Sequence, residues 1–288
     1  MNKIFLGHVH YIPSAILFSK DVSIGAVIVP EVYPNLIYNY YNELTYFRSP
    51  LEFVYFFRTL NYPLSSVYFS LENINLLDDI TKIALLKENG LVSIQVFHHS
   101  SNPYFNTKTG LTPLGKSLLY KIIENNLTLD LSHLDNYWIN KILEEYEGKI
   151  VISHCAISDL LNDSNNRTNC ISYKTVEQLI KRNCLIGISF VNDTISFNSD
   201  EMDENIVFND IIKQISTFVH HFGSQNIYLG PDYFDTMYFS KVYNHNLFIP
   251  KQLYSLDGFY ELFEILTQSI GKEVNNIFWD NANNFFSN

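Results

Sequence analysis

The sequence predicts an α/β protein, a (β/α)8 TIM barrel occupying residues 1–288 as one domain. Three observations carry this prediction. Eight short apolar, β-branched runs recur along the chain, and helical patterns fill the intervals between them. The runs are almost continuously hydrophobic, which strands buried on both faces require. The length, 288 residues, is ordinary for an α/β barrel that folds as one unit. The rival architecture is an open doubly wound sheet.

The expected strands begin with Lys3–His10 (KIFLGHVH), Gly25–Val32 (GAVIVPEV) and Ser66–Glu72 (SVYFSLE). Val92–His98 (VSIQVFH), Leu127–His133 (LTLDLSH) and Lys149–His154 (KIVISH) follow, then Cys184–Phe190 (CLIGISF) and Asn226–Asp232 (NIYLGPD). Helices are expected at Pro50–Leu60 and Leu76–Glu88, and at Thr112–Asn125, where Pro113 occupies a favoured first-turn position. Asp135–Glu147 opens on an acidic cap and Ser172–Arg182 on a hydroxyl cap. Asp203–Phe222, Leu256–Ile270 and Asn275–Phe286 complete the set, and Asp163–Asn169 (DSNNRTN) reads as one polar loop.

Composition excludes several classes of function. Hydrophobic residues make up 47% and charged residues 17%, so a sizeable core forms and disorder is excluded. No run reaches the ~18 apolar residues of a membrane span. Thirty acidic against 19 basic residues give a net charge of −11, which disfavours nucleic acid as a partner. The N-terminus, MNKIFLGHVHY, runs straight into two histidines, which argues against a secretory signal. Cys155, Cys170 and Cys184 are an odd number without close pairing, so a cytoplasmic location is expected.

Chemistry in such a barrel sits at the C-terminal ends of the strands. The first run ends in His8 and His10, the third in Glu72 and the fourth in His98 followed by His99. The fifth ends in His133, the sixth in His154 and the eighth in Asp232. Taken singly, each is an ordinary strand-end or turn residue. Six of the nine histidines on one rim instead point to a metal site. His8 and His10 are two apart and project on the same side of a strand, so both imidazoles reach one ion. His133 and His154, on adjacent strands, supply nitrogens to a second. Glu72 lies between them in strand order, and its two oxygens can bridge ions ~3.5–4 Å apart. Such ligands suit two divalent ions, Zn²⁺ first, with Mn²⁺, Fe²⁺ or Co²⁺ as alternatives.

Gly110–Gly115 (GLTPLG), Leu127–His133 (LTLDLSH) and Ile152–His154 (ISH) resemble the renal or membrane dipeptidase family, peptidase family M19. Gly230–Asp232 (GPD) and Asn281–Phe285 (NANNF) match further parts of that pattern. The resemblance implies a metal-dependent amidohydrolase barrel with two zinc ions. It gives His8 to the first ion, Glu72 to the bridge, and His133 and His154 to the second ion. It makes Asp232 the acid that takes a proton from the attacking water, and places His98 against the substrate or its tetrahedral intermediate. Arg167, in NNRTN, would bind the substrate carboxylate. The chain departs from the family where His10 replaces the Asp of a His-x-Asp motif, leaving the site about one charge unit more positive. Residues 233–235 read Tyr-Phe-Asp where the family has Phe-Asp-Gly.

The expected activity is therefore metal-dependent hydrolysis of a dipeptide or similar small amide. The alternatives are hydrolysis of a lactone, cyclic amide or phosphoester, or a non-catalytic barrel that retains its metal site. Many related barrels bridge their metals with a carboxylated lysine on the fourth strand. VSIQVFHHS has none, which points back to Glu72. The expected partner is a small peptide substrate, with neither nucleic acid nor membrane, and a homodimer as the oligomeric option.

Overall fold

The structure, a computed structural model, describes residues 3–10, 23–28, 38–40, 43–45, 66–72, 74, 77, 79–98, 101–162, 169–197, 203–234 and 247–287. Eight parallel strands form one sheet in strict chain order: β1 (Lys3–Val9), β2 (Ser23–Ile28), β3 (Ser66–Leu71), β4 (Leu91–Gln95), β5 (Thr128–Asp130), β6 (Ile150–Ile157), β7 (Leu185–Ile188) and β8 (Ile227–Leu229). A short strand, Cys170–Ile171, pairs with the end of β6. The sheet is curled, and the segments that follow its first and last strands touch at the C-terminal rim. There the Asp232 N–H donates to the His8 carbonyl at 2.9 Å, and the His10 N–H donates to the Tyr233 carbonyl at 2.8 Å. Val9 and Tyr233 form a parallel bridge at the same place.

All eight expected strands are present, but three end three residues early. β4 stops at Gln95, β5 at Asp130 and β8 at Leu229. His98, His133 and Asp232 therefore lie three residues beyond their strands, not on the last strand residue. At β5 the cause is local: Asp130 Oδ1 accepts from the Ser132 N–H at 3.0 Å and from Ser132 Oγ at 2.8 Å, turning the chain out of the sheet.

Among the described residues, the α-helices of six residues or more are α1 (Ile83–Glu88), α2 (Pro113–Glu124), α3 (Asn136–Glu145), α4 (Tyr173–Lys181), α5 (Glu204–Phe222), α6 (Leu256–Ile270) and α7 (Asn281–Ser287). Asp135 and Ser172 cap α3 and α4 as expected, and Thr112 caps α2, each side chain accepting a first-turn N–H. The helix expected at Leu76–Glu88 starts later, because Asp79 accepts the Thr81 N–H and begins a 3-10 turn over Ile80–Lys82. The expected Pro50–Leu60 helix lies outside the described residues, as does the end of the second expected strand, 29–32.

Apolar faces of these helices pack on the outside of the sheet; Leu118 and Ile122 of α2 and Ile211, Ile215 and Phe218 of α5 are buried. At the N-terminal end of the strands, Tyr228 packs inside the sheet against Phe5 and Phe286. Gly7 makes room for it, since a Cβ there would collide with the Tyr228 ring. The Phe5 and Phe286 rings stack at 5.5 Å, so α7 covers this end and leaves the opposite rim for chemistry.

Candidate metal centre

Seven of the residues singled out in the sequence converge at the C-terminal rim. His8 Nε2 lies 3.2 Å from His10 Nε2, and His133 Nε2 lies 3.0 Å from His154 Nε2. Glu72 reaches both pairs: Oε1 is 3.5 Å from His8 Nε2 and 3.8 Å from His133 Nε2, and Oε2 is 3.6 Å from His10 Nε2. Asp232 does the same from the other side, with Oδ1 3.6 and 3.3 Å from the Nε2 atoms of His8 and His10, and Oδ2 3.9 Å from that of His154. His98 Nε2 is 3.5 Å from Glu72 Oε1, which places it among the donor atoms as well as beside them.

Donors held ~2.0–2.1 Å from a tetrahedral ion stand ~3.3 Å apart along each edge. The separations here cluster around that edge length. Glu72 Oε2, buried, makes no hydrogen bond, which is the condition of a carboxylate oxygen aimed at a cation. The residues present thus fit divalent ions.

Backbone irregularity sets this geometry. Between Leu6 and Val9, β1 advances three residues while β2 advances two, and between Ile152 and Cys155, β6 does the same against β7. Each step is a bulge, which re-aims side chains where it occurs. His8 lies in the first and Ser153 and His154 in the second. Among the described residues, five non-glycine residues have positive φ, and three of them are asparagines, which tolerate it. The other two are His133 (φ 67°) and Asp232 (φ 57°), both at the site.

Burial pushes the Glu72 carboxyl up, but His98, His10 and the adjacent His8 together hold it well below the usual carboxylate range. His154 is driven well below the ordinary imidazole range by burial and then by His8, against the pull of Glu72. A neutral imidazole and an ionised carboxylate are the forms that ligate metals.

Beneath the donors lies a polar network with no counterpart among the sequence expectations. Ser153 Oγ is 2.9 Å from His8 Nδ1, 3.0 Å from His154 Nδ1 and 3.0 Å from Ser132 Oγ. Ser132 Oγ donates to Asp130 Oδ1, which also accepts the Ser153 N–H at 3.2 Å. Burial raises the Asp130 carboxyl, against these hydrogen bonds. Asn169 Oδ1 accepts the His133 N–H at 2.9 Å. The signal for the first three was present in LDLSH and ISH: small polar residues inside otherwise apolar strands, which need buried partners.

A cavity of about 220 Å³ adjoins the donors, lined by Phe97, His98, Phe105, His133, Leu134 and Trp138 among others. Trp138 is held there by its indole N–H, which donates to the Thr107 carbonyl at 3.1 Å. Arg167 and His99 lie outside the described residues.

The family model for membrane dipeptidase, peptidase family M19, matches residues 35–282. The chain belongs to this family. No curated protein matches it in sequence. An amidohydrolase from Pseudomonas aeruginosa superposes on this M19 chain with a TM-score of 0.72 at 14% identity, covering 99% of this chain and 95% of the other. Dipeptidase AC, a metallopeptidase of family M19, gives 0.70 at 12% identity, covering 99% and 98%. A structure described as a probable 2-pyrone-4,6-dicarboxylic acid hydrolase from Acinetobacter baumannii gives 0.54 at 11% identity over the whole of both chains. At these identities the likeness is one of fold. The M19 chain is a metal-dependent hydrolase. No helix among its described residues is long and apolar enough to cross a membrane.

Proposed function

We propose that this M19 member is a single-domain, closed (β/α)8 hydrolase that cleaves the peptide bond of a dipeptide or similar small amide at a binuclear centre. The observation that carries the reading is the convergence of four imidazoles on two carboxylates at tetrahedral edge spacing. His8 and His10 would hold one ion, His133 and His154 the other, and Glu72 would span them. Bound there, divalent ions, zinc first, with manganese, iron or cobalt as alternatives, supply Lewis acidity and a water acidified towards neutrality.

The chain's own residues do the rest. Asp232, one-fifth exposed at the mouth, accepts the proton of the attacking water at its carboxylate and returns it to the leaving amine. His98 donates from its imidazole to the oxygen that becomes negative. The apolar cavity beside His98 and His133 gives room for a substrate side chain and excludes water around it. Arg167 pairs with the substrate carboxylate. Cys155 and Cys184 are free, buried thiols, which supports residence in a reducing compartment such as the cytoplasm.

A second reading, hydrolysis of a lactone, cyclic amide or phosphoester, is favoured by His10, which makes this motif the His-x-His of the wider amidohydrolase superfamily. One experiment separates the readings: metal analysis of the purified protein, with turnover measured on mixed dipeptides and on lactones before and after chelation. Two ions per chain and chelator-sensitive dipeptide cleavage are expected. Lactone turnover without dipeptide turnover would establish the second reading, and a chain that takes up no metal would overturn both.

A further inference from the structure

Ser153 stands where the two halves of the donor cluster meet. Its hydroxyl is within 3.0 Å of three buried groups, the Nδ1 atoms of His8 and His154 and Ser132 Oγ. A hydroxyl has one hydrogen to give and two lone pairs to receive with. The Ser132 hydrogen is already committed, because Ser132 Oγ donates to Asp130 Oδ1 at 2.8 Å. Ser132 Oγ also accepts the Ser153 N–H at 2.8 Å and, at a longer 3.3 Å, the His154 N–H. With the Ser132 hydrogen committed, the Ser132–Ser153 contact at 3.0 Å is made by the Ser153 hydrogen, and both lone pairs of Ser153 face imidazole nitrogens. Each of those nitrogens must then carry a proton.

We propose that Ser153 is a positioning residue that locks His8 and His154 together in the Nδ1–H tautomer, presenting both Nε2 lone pairs to the cluster at once. The proposal deepens the binuclear reading above, on which its consequence for metal binding rests. One hydroxyl thereby orients one ligand of each ion, and the carboxylate of Asp130 stands behind both through two hydroxyls in series. Hydrogen bonding of this kind fixes ring orientation and raises ligand basicity.

The β6 bulge is what makes the arrangement possible. Adjacent side chains on a regular strand point to opposite faces, yet Ser153 Oγ and His154 Nδ1 are 3.0 Å apart and both are buried at the rim. The extra residue in β6 opposite β7 brings them to one side. The Ser153 carbonyl is held in turn by close approach to Gly187, where a Cβ would collide with it.

The test uses the full chain with ¹⁵N-labelled histidine, with and without zinc. Ring-nitrogen spectra of the metal-free wild type are expected to show His8 and His154 protonated at Nδ1. Either ring protonated at Nε2 instead overturns the proposal, whether or not the chain binds metal. Ser153→Ala is then expected to weaken zinc binding about ten- to a hundredfold at both sites, read by competition with a chelator, while Ser153→Thr retains wild-type affinity and tautomers. Loss at one site only, or unchanged binding in Ser153→Ala, overturns the coupling. A wild type that takes up no zinc refutes the binuclear reading and the coupling, while the tautomer result stands on its own spectra. Should Ser153→Ala fail to fold, the wild-type spectra and Ser153→Thr still decide the matter.

Discussion

The His133 N–H donates to Asn169 Oδ1 at 2.9 Å, and this bond holds His133 at a φ of 67°. A left-handed histidine is costly unless its surroundings fix it. Here the tether comes from 36 residues downstream, out of the polar loop before the Cys170–Ile171 strand. Asn169→Ala should cost roughly 2–4 kcal/mol, combining a buried N–H left without an acceptor with the left-handed φ of residue 169 itself. Metal affinity should drop with it. Asn169→Asp keeps the acceptor and tolerates the φ, so it should lose less than half as much. Denaturant melts and zinc titration of both variants check this; equal losses would show that the tether is not what holds His133.

Glu72 and Asp232 both face the two histidine pairs, but their settings differ. Glu72 is buried and reaches three imidazoles within 3.6 Å, whereas Asp232 is partly exposed at the mouth. Glu72→Gln should therefore lose metal, with activity falling in proportion. Asp232→Asn should retain at least the ion at His133 and His154, yet lose several powers of ten in kcat because the proton shuttle is gone. Metal analysis alongside kinetics separates the two, and equal metal loss in both variants would mean that their roles are wrongly divided.

Much of this was legible in the sequence, for a physical reason. Strands buried on both faces must be apolar throughout, so a polar residue at their C-terminal ends stands out; His8, Glu72 and His154 were visible that way. Capping side chains are equally local, and Asp135 and Ser172 mark their helices. The bulges in β1 and β6 were not legible, because an extra residue is defined only against the partner strand. A strict alternation assigns Ser153 to the face opposite His154, which hides the hydroxyl between the two imidazoles. The tether from Asn169 to His133 was hidden likewise, since it joins positions far apart in the chain.

Acidification should destabilise the metal-free protein. His154 and Glu72 both hold protons more weakly when folded than when unfolded. The unfolded chain then takes up more protons as pH falls, and folded stability declines. The His154 contribution is complete above the ordinary imidazole value of 6.5 and is lost as pH drops towards its lower folded value. That of Glu72 is complete above 4.5 and is lost below it. Asp130, shifted the other way, opposes this between 3.8 and its raised folded value. The midpoint of thermal unfolding should fall by several degrees between pH 7 and pH 5, and zinc should steepen the dependence because protons compete for the same nitrogens. A flat or rising midpoint in that interval would contradict the assignment of His154 as a buried neutral imidazole.

The last prediction concerns the substrate carboxylate. A dipeptide presents a free carboxylate that a positive group must hold ~3 Å away for the scissile bond to reach the attacking water. The chain has four arginines, Arg48, Arg58, Arg167 and Arg182. Arg182 is already engaged: at the end of α4 it donates to the carbonyls of Leu143 and Tyr146 at 2.7 and 2.6 Å, closing the end of α3. Of the other three, Arg167 follows β6, the strand that carries His154, and leads into Asn169, the residue tied to His133. The resemblance to the M19 pattern implies the same task for it. Arg167→Ala should raise KM for free dipeptides roughly ten- to a hundredfold, the worth of one charge-assisted pair, with kcat changed much less. Dipeptide amides, which lack the carboxylate, should be poor substrates of the wild type and indifferent to the substitution. If wild type and variant handle free dipeptides alike, the carboxylate is held elsewhere or plays no part, and hydrolysis of a neutral ester or lactone becomes the better account of the site.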